Sequence, residues 1–372
     1  MLQYAVIGPA VSRIIRKERG VFMKVKSSFR LKEISKARPQ LLGLAALWIV
    51  LFHSWQLDLF KIPILSQTHL LGLFNRLKET GNCGVDLFLF LSGLGLVYSW
   101  DRLQKSSSRP LPDFYRRRLR RILPPVLLVS LIFYGLTGTE NLADWMGKIF
   151  LYGHFSAVLD GGCYWYFALL ILLYLAFPLI RKTMERLGTP GLIGWLLCAV
   201  CGTLLLRFFG SPEYFEKTEI LWTRIPVFLL GIWIGQLCLR DASVPSWVPA
   251  ACLPLGAAVW FAASSIPGGS AMFLRRWAYA PLTLLIVFSC AWLVSLRNGR
   301  GFLRRALARI GSFSMEIYLI YENLYLADPP LFRGADDAGV TYAVTCFAVT
   351  LLLSALLQAG LGRLLKGKTG DS

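Results

Sequence analysis

The sequence predicts an all-α, polytopic integral membrane protein with about ten transmembrane helices and both termini in the cytoplasm. Three observations support this fold class. Hydrophobic residues make up 55% of the 372 residues and the mean hydropathy is +0.55, which is more apolar than a typical soluble domain. Apolar stretches of about 20 residues recur along the chain, the length that a helix needs to cross the bilayer. Lys and Arg residues collect in alternate connecting segments, as the positive-inside rule requires.

Each apolar stretch is assigned to a helix because backbone groups inside lipid must form their hydrogen bonds within the segment. The predicted spans lie near 40–57, 83–100, 122–138, 164–180, 191–208, 222–239, 246–264, 277–296, 310–327 and 339–360. Arg275 and Arg276 are the main exception to the charge pattern, because they would face outward. The chain then divides into a basic cytoplasmic tail (1–38), a transmembrane domain (39–360) and a cytoplasmic C-terminal tail (361–372).

The net charge of +19 is explained by this topology and by contact with anionic lipid of the bilayer. Nucleic-acid binding is not indicated, because no soluble segment combines basic residues with exposed aromatic ones. We expect part of the basic tail to form an amphipathic helix on the inner membrane face. Most of the eight cysteines fall within apolar stretches and are typical of packing residues. No metal site is indicated.

His53 lies near the far end of the first apolar stretch. An ionisable side chain within a span is costly and by default indicates a functional site. If the span begins near Gln40, His53 lies about 20 Å above the inner face, past the midplane. An imidazole there can take a proton from a hydroxyl near neutral pH, which makes His53 the first candidate catalytic residue. The alternative is a structural histidine that bonds to a neighbouring helix.

Two carboxylates are further candidates for catalysis. Asp86 lies near the outer end of the second span, at a height comparable with His53, and a carboxylate there would orient the imidazole. The alternative is that Asp86 caps the start of its helix. Glu316 lies within the ninth span and needs a partner, for which Arg224 and Arg207 are candidates. A structural ion pair is at least as well supported for Glu316 as catalysis.

A cluster of basic residues stands at the inner mouth of the third span and includes Tyr115, Arg117, Arg118 and Arg121. Arg118 and Arg121 are three residues apart and share a helix face. Guanidinium groups bind phosphates well, so this cluster is a candidate site for a phosphate-bearing ligand. The alternative is an ordinary positive-inside cluster in contact with lipid phosphates.

Taken in order, these segments resemble the acyltransferase-3 family of bacterial membrane O-acyltransferases. The segments that carry the resemblance are Val50–His53, Gly84–Phe88 with Leu91–Gly93, Phe114–Arg118 with Arg121 and Pro124, Trp165 with Tyr174 and Pro178, Arg224–Gly231, and Gly311 with Ser314–Leu319. The resemblance covers residues 38 to 360, and the order and spacing of the segments make it specific.

The resemblance implies a ten-helix domain in the bacterial cytoplasmic membrane that uses acyl-CoA from the cytoplasm, usually acetyl-CoA. The acyl group would pass to a hydroxyl of an extracytoplasmic glycan, lipid-linked sugar or wall polymer. In this family the histidine of the first span, here His53, is the essential catalytic residue. The arginine pair after the second span, here Arg118 and Arg121, is associated with binding the donor, and we place Arg117 and Tyr115 with it. His53 would act as the general base, with Asp86 or Glu316 orienting it.

The sequence departs from the family at two positions. Leu42 stands where many members have an arginine, eleven residues before the histidine, and Arg38 lies one turn earlier. Tyr321 stands where many members have a second histidine. Two other functions stay open: a transporter or flippase that moves a polar substrate past His53 and Asp86, and an acyltransferase-like sensor that binds a ligand without turnover.

Overall fold

The computed structural model describes residues 28–54, 57–61, 69–137, 146–147, 155, 164–266, 272–296, 301–327 and 339–366. Within these residues the chain is helical apart from one short two-stranded ladder and the connecting turns. Of the basic tail (1–38), in which an amphipathic helix is expected, residues 1–27 lie outside the described residues, as do residues 367–372 of the C-terminal tail.

The helices follow one another with short connections. In chain order they are α1 (Lys32–His53), α2 (His69–Glu79), α3 (Cys83–Ser106), α4 (Pro110–Thr137), α5 (Trp165–Leu187), α6 (Thr189–Phe209), α7 (Pro212–Trp222), α8 (Ile225–Leu239), α9 (Trp247–Ser265), α10 (Met272–Leu296), α11 (Phe302–Ser312), α12 (Ser314–Ala327) and α13 (Val340–Lys366). A 3-10 turn spans Leu59–Lys61.

Eight of the described segments are long and apolar enough to cross a membrane, and they are α1, α3, α5, α6, α7 with α8, α9, α10 and α13. The all-α, multi-pass membrane class is therefore confirmed. The other two predicted spans, near 122–138 and 310–327, fall on α4 and α12. The first half of α4 is rich in arginine, and α12 has 14 residues, fewer than the ~20 of an independent span. The number of crossings and the sides of the termini stay predictions.

Close helix approach at glycines fixes the positions of α1 and α3. A Cβ at Gly231 of α8 would collide with the backbone carbonyl of Phe90 in α3. A Cβ at Gly43 of α1 would likewise collide with the backbone carbonyl of Leu307 in α11. Small residues at such contacts let membrane helices pack backbone against backbone. As a result α3 is the most deeply buried of the candidate spans.

A two-stranded antiparallel ladder of β1 (Ser28–Arg30) and β2 (Ser243–Pro245) holds the start of α1 against the end of α8. Phe29 of β1 is buried. An ion pair joins Lys32 Nζ to Asp241 Oδ1 at 2.9 Å, and this contact lowers the pKa of the exposed Asp241 carboxyl. We call the end of the bundle that carries this ladder the arginine end. The opposite end, where α1 finishes at His53, is the histidine end.

Candidate active site

A cavity of about 460 Å³ extends from the arginine end toward the middle of the bundle. It follows α3 from Arg102 to Phe88, a rise of roughly 21 Å for an α-helix, and α1, α4, α5 and α12 complete its walls. Among the described residues that line it, none is acidic and several are arginine, namely Arg38, Arg102, Arg117, Arg118 and Arg121. The cavity is therefore strongly cationic.

Two arginines of the cavity, Arg38 and Arg118, donate hydrogen bonds to neutral groups. Arg38 Nε donates to the carbonyl oxygen of Leu91 at 3.1 Å, and its guanidinium lies against Gly95, where a Cβ would be 2.9 Å from Nη2. Arg118 donates to the hydroxyl of Ser99. Neither arginine forms an ion pair with any described residue. Buried cations without a protein counter-ion are costly, so the cavity is suited to an anionic ligand.

The first turn of α12 adds to this cationic character. Ser314 and Met315 line the cavity at the start of the helix, where backbone N–H groups and the helix dipole attract anions. Glu316 follows in the same turn and is largely buried. Arg121 attracts the Glu316 carboxylate electrostatically. Arg224 and Arg207, the candidate partners of Glu316, contact other residues instead.

His53 is the last residue of α1. Its Nδ1 lies 2.9 Å from the carbonyl oxygen of Ile49. A carbonyl oxygen only accepts hydrogen bonds, so Nδ1 carries the proton and Nε2 is the basic nitrogen of the neutral ring. The ring also meets Phe52 edge-on, with 5.0 Å between centroids. The geometry therefore holds the imidazole in one orientation and gives it the tautomer that a general base needs.

A second, smaller pocket of about 10 Å³ adjoins His53 at the histidine end. Its lining is almost entirely apolar and consists of Ala46, Ile49, Val50, His53, Phe88, Ile317, Tyr318 and Tyr321. Phe88 and Tyr318 also line the large cavity. Tyr321, at the position of the second family histidine, shares a hydrogen bond of 2.8 Å with Ser54, the residue after His53.

Asp86 is paired with Arg224 in the interior of the bundle. Asp86 Oδ2 accepts from Arg224 Nη1 at 2.6 Å, and the two side chains are 0% and 1% exposed. Arg224 also donates to the carbonyl oxygen of Asn82 at 3.1 Å and lies 5.3 Å from the ring of Trp165. The other carboxylate oxygen of Asp86 has no hydrogen-bond partner among the described residues. The structure therefore joins Asp86 to Arg224 and forms no hydrogen bond between Asp86 and His53.

Comparison with known protein families shows the family of this chain. The family model described as an acyltransferase domain, acyltransferase-3, matches residues 41–359 of the chain. The chain belongs to the acyltransferase-3 family. It is a multi-pass membrane acyltransferase. No curated protein and no solved structure matches it significantly.

The predicted donor-binding residues of this acyltransferase divide into two groups. Arg117, Arg118 and Arg121 line the large cavity. Tyr115 does not line it: its hydroxyl donates to the carbonyl oxygen of Leu175 at 3.0 Å and ties α4 to α5. Among the described residues, no cluster of His, Cys, Asp and Glu could hold a metal ion.

Two further arginines, Arg38 and Arg102, line the cavity but are not among the predicted donor-binding residues. Arg38 and Leu42, the position of the missing family arginine, lie four residues apart on one face of α1, and both line the cavity. Arg102 lies about three turns of α3 beyond Ser92, and both line the cavity. The Ser92 hydroxyl shares a hydrogen bond of 2.9 Å with the hydroxyl of Tyr174. The available signal is the i, i+3 spacing of Ser35 with Arg38 on α1 and of Ser99 with Arg102 on α3.

Proposed function

We propose that this acyltransferase moves an acetyl group from cytoplasmic acetyl-CoA to a hydroxyl of an extracytoplasmic glycan or wall polymer, in the bacterial cytoplasmic membrane. The observation that carries the proposal is the acid-free arginine cavity that leads toward His53. Coenzyme A bears a diphosphate and a further phosphate on its ribose, and guanidinium groups bind phosphates through paired hydrogen bonds. In this proposal the arginine end faces the cytoplasm.

The shape of the donor fits the separation of the two ends. Arg38 and His53 are 15 residues apart on α1, which corresponds to about 22 Å along the helix axis. Acetyl-CoA carries its thioester at the end of the long, flexible pantetheine arm, well away from its phosphates. Phosphates held by the arginines would therefore present the thioester near His53, while the acceptor approaches from the histidine end.

The proposed reaction uses the basic nitrogen of His53. His53 Nε2 removes the proton of the acceptor hydroxyl as that oxygen attacks the thioester carbonyl. The tetrahedral intermediate collapses to the acetyl ester, and the thiolate of coenzyme A leaves with a proton from His53. The carbonyl of Ile49 orients the imidazole, the task expected of Asp86 or Glu316. Tyr318, in the wall of the His53 pocket, is a candidate donor to the oxyanion.

The test is acetyl transfer by the purified full chain in nanodiscs, with radiolabelled acetyl-CoA and cell-envelope extract as the source of acceptor. We expect His53→Ala to bind coenzyme A and to release no label. Arg118→Ala with Arg121→Ala should weaken binding, since each lost charged hydrogen bond costs about 1.5–3 kcal/mol, roughly tenfold to a hundredfold. Arg120→Ala is the matched control, because Arg120 is exposed and outside the cavity.

Three results would contradict the proposal. Full transfer by His53→Ala at normal protein levels would exclude His53 as the base. Substrate accumulation in vesicles without acetyl transfer, and without any response to acetyl-CoA, would favour a transporter. Binding of acetyl-CoA with no turnover, even with envelope extract present, would favour a sensor.

A further inference from the structure

The large cavity and the His53 pocket are separated by two side chains, Phe88 of α3 and Tyr318 of α12. These are the residues that both linings share. Each is almost fully buried, with 6% and 4% exposed. The direct route from the arginine cavity to His53 therefore runs past the Phe88 and Tyr318 rings.

A third ring braces this pair. The centroid of Tyr166 in α5 lies 5.3 Å from that of Tyr318 and 6.3 Å from that of Phe88. Phe167 packs on Tyr318 as well, at 5.8 Å, but it lines neither chamber. Ring contacts of this kind stabilise one arrangement only modestly, so a bound ligand can displace a ring.

The His53 pocket is very small in this arrangement. A volume of about 10 Å³ is close to the minimum that holds a single water molecule. Its walls beyond the two rings come from branched side chains, Ile49, Val50 and Ile317. Neither a thioester nor an alkyl chain fits without displacement of a ring, and a longer chain would meet the branched walls next.

We propose that Phe88 and Tyr318 form a gate that opens for the thioester and restricts the acyl group at His53 to about two carbons. The proposal rests on the proposed acyl transfer and adds the residues that select the donor. Opening requires rotation of the Phe88 ring toward the large cavity, which has a volume of about 460 Å³, while Tyr318 stays beside His53. The phosphates bind on the far side of the gate, so donor binding and acyl selection involve different residues.

The experiment compares acetyl-, butyryl- and hexanoyl-CoA as donors for the full chain in nanodiscs. Phe88→Leu replaces a ring of the gate with a smaller side chain and should open it. Phe167→Leu is the matched control: it is the same substitution, made at a ring that contacts Tyr318 but lines neither chamber. Ile317→Ala enlarges the pocket without altering the gate and serves if Phe88→Leu fails to fold. Binding of coenzyme A itself, which has no acyl group, is measured in parallel.

We expect kcat/KM to be much higher for acetyl-CoA than for butyryl- or hexanoyl-CoA in both wild type and Phe167→Leu. Phe88→Leu and Ile317→Ala should each reduce that preference at least about tenfold, the effect of added space for a methylene or more, with the Kd for coenzyme A unchanged. Equal use of hexanoyl-CoA by wild type would overturn the gate, as would unchanged preference in both variants. Absence of turnover with every donor would instead overturn the proposed function, and the gate with it.

Discussion

Replacement of Asp86 by leucine tests whether the buried pair with Arg224 is structural. Both side chains are buried and their charged atoms are 2.6 Å apart. Removal of one partner of such a pair typically costs 3–5 kcal/mol, because the remaining charge stays buried. In Asp86→Leu the buried Arg224 guanidinium loses its partner carboxylate. Its bond to Asn82 and its contact with Trp165 remain, each worth about 1 kcal/mol, so we expect a loss near the lower limit, about 3 kcal/mol.

The assay is unfolding of the purified protein by denaturing detergent, followed by far-ultraviolet circular dichroism, with thermal unfolding in nanodiscs as a second measure. Asp86→Leu combined with Arg224→Leu removes both charges and should recover most of the lost stability. Glu213→Leu is the control: Glu213 pairs with Lys217 at 3.0 Å but is 77% exposed, and such exposed pairs contribute about 0–1 kcal/mol.

Two outcomes would refute this reasoning. One is an Asp86→Leu protein as stable as wild type. The other is a double variant no more stable than Asp86→Leu alone. If Asp86→Asn kept wild-type stability and lost turnover, the carboxylate would act on the chemistry, as the sequence had suggested for Asp86 and His53.

Other expectations follow from the same contacts. Gly231→Ala should lower the unfolding temperature, since overpacking against backbone costs about 1–3 kcal/mol. Gly202→Ala is the control and should not lower it, because no atom lies within 4 Å of the added Cβ. An equally large shift of the unfolding temperature for Gly202→Ala would contradict this explanation. Arg38→Leu should raise the Kd for coenzyme A, measured by isothermal titration calorimetry, about tenfold. Arg116→Leu, at an exposed position outside the cavity, is the control and should leave that Kd within about twofold of the wild-type value. Raising salt from 0.05 to about 0.5 M should weaken the same binding, because screening shortens the range of the arginine charges; a salt-independent Kd would argue against phosphate recognition.

The sequence predicts the class of fold well because the length of an apolar stretch is a local property. Eight of the predicted spans fall on helices long enough to cross, and family membership follows from the segments around His53 and Arg118. Local pattern does not predict which helices meet. Asp86 and Arg224 are separated by 138 residues, and nothing in the periodicity of either helix indicates that they pair.

The same limit applies to the arginine cavity. Arg38 falls in the predicted basic tail, while the structure begins α1 at Lys32 and places Arg38 inside that helix. Polar side chains in the first turns of a span look alike in sequence whether they face lipid headgroups or an internal cavity. Tertiary contacts, such as that of α1 with α11 at Gly43, determine which way this face points.

The ladder of β1 and β2 sets how far the chain can be shortened from its N-terminus. Cleavage before Ser28 leaves all three paired residues, the buried ring of Phe29 and the hydrogen bond from Leu31 N to Ala242 O. Removal of residues up to 40 would expose the free edge of β2 and take Arg38 out of the cavity. A shortened protein for crystallisation or fusion to a reporter should therefore start at or before residue 28.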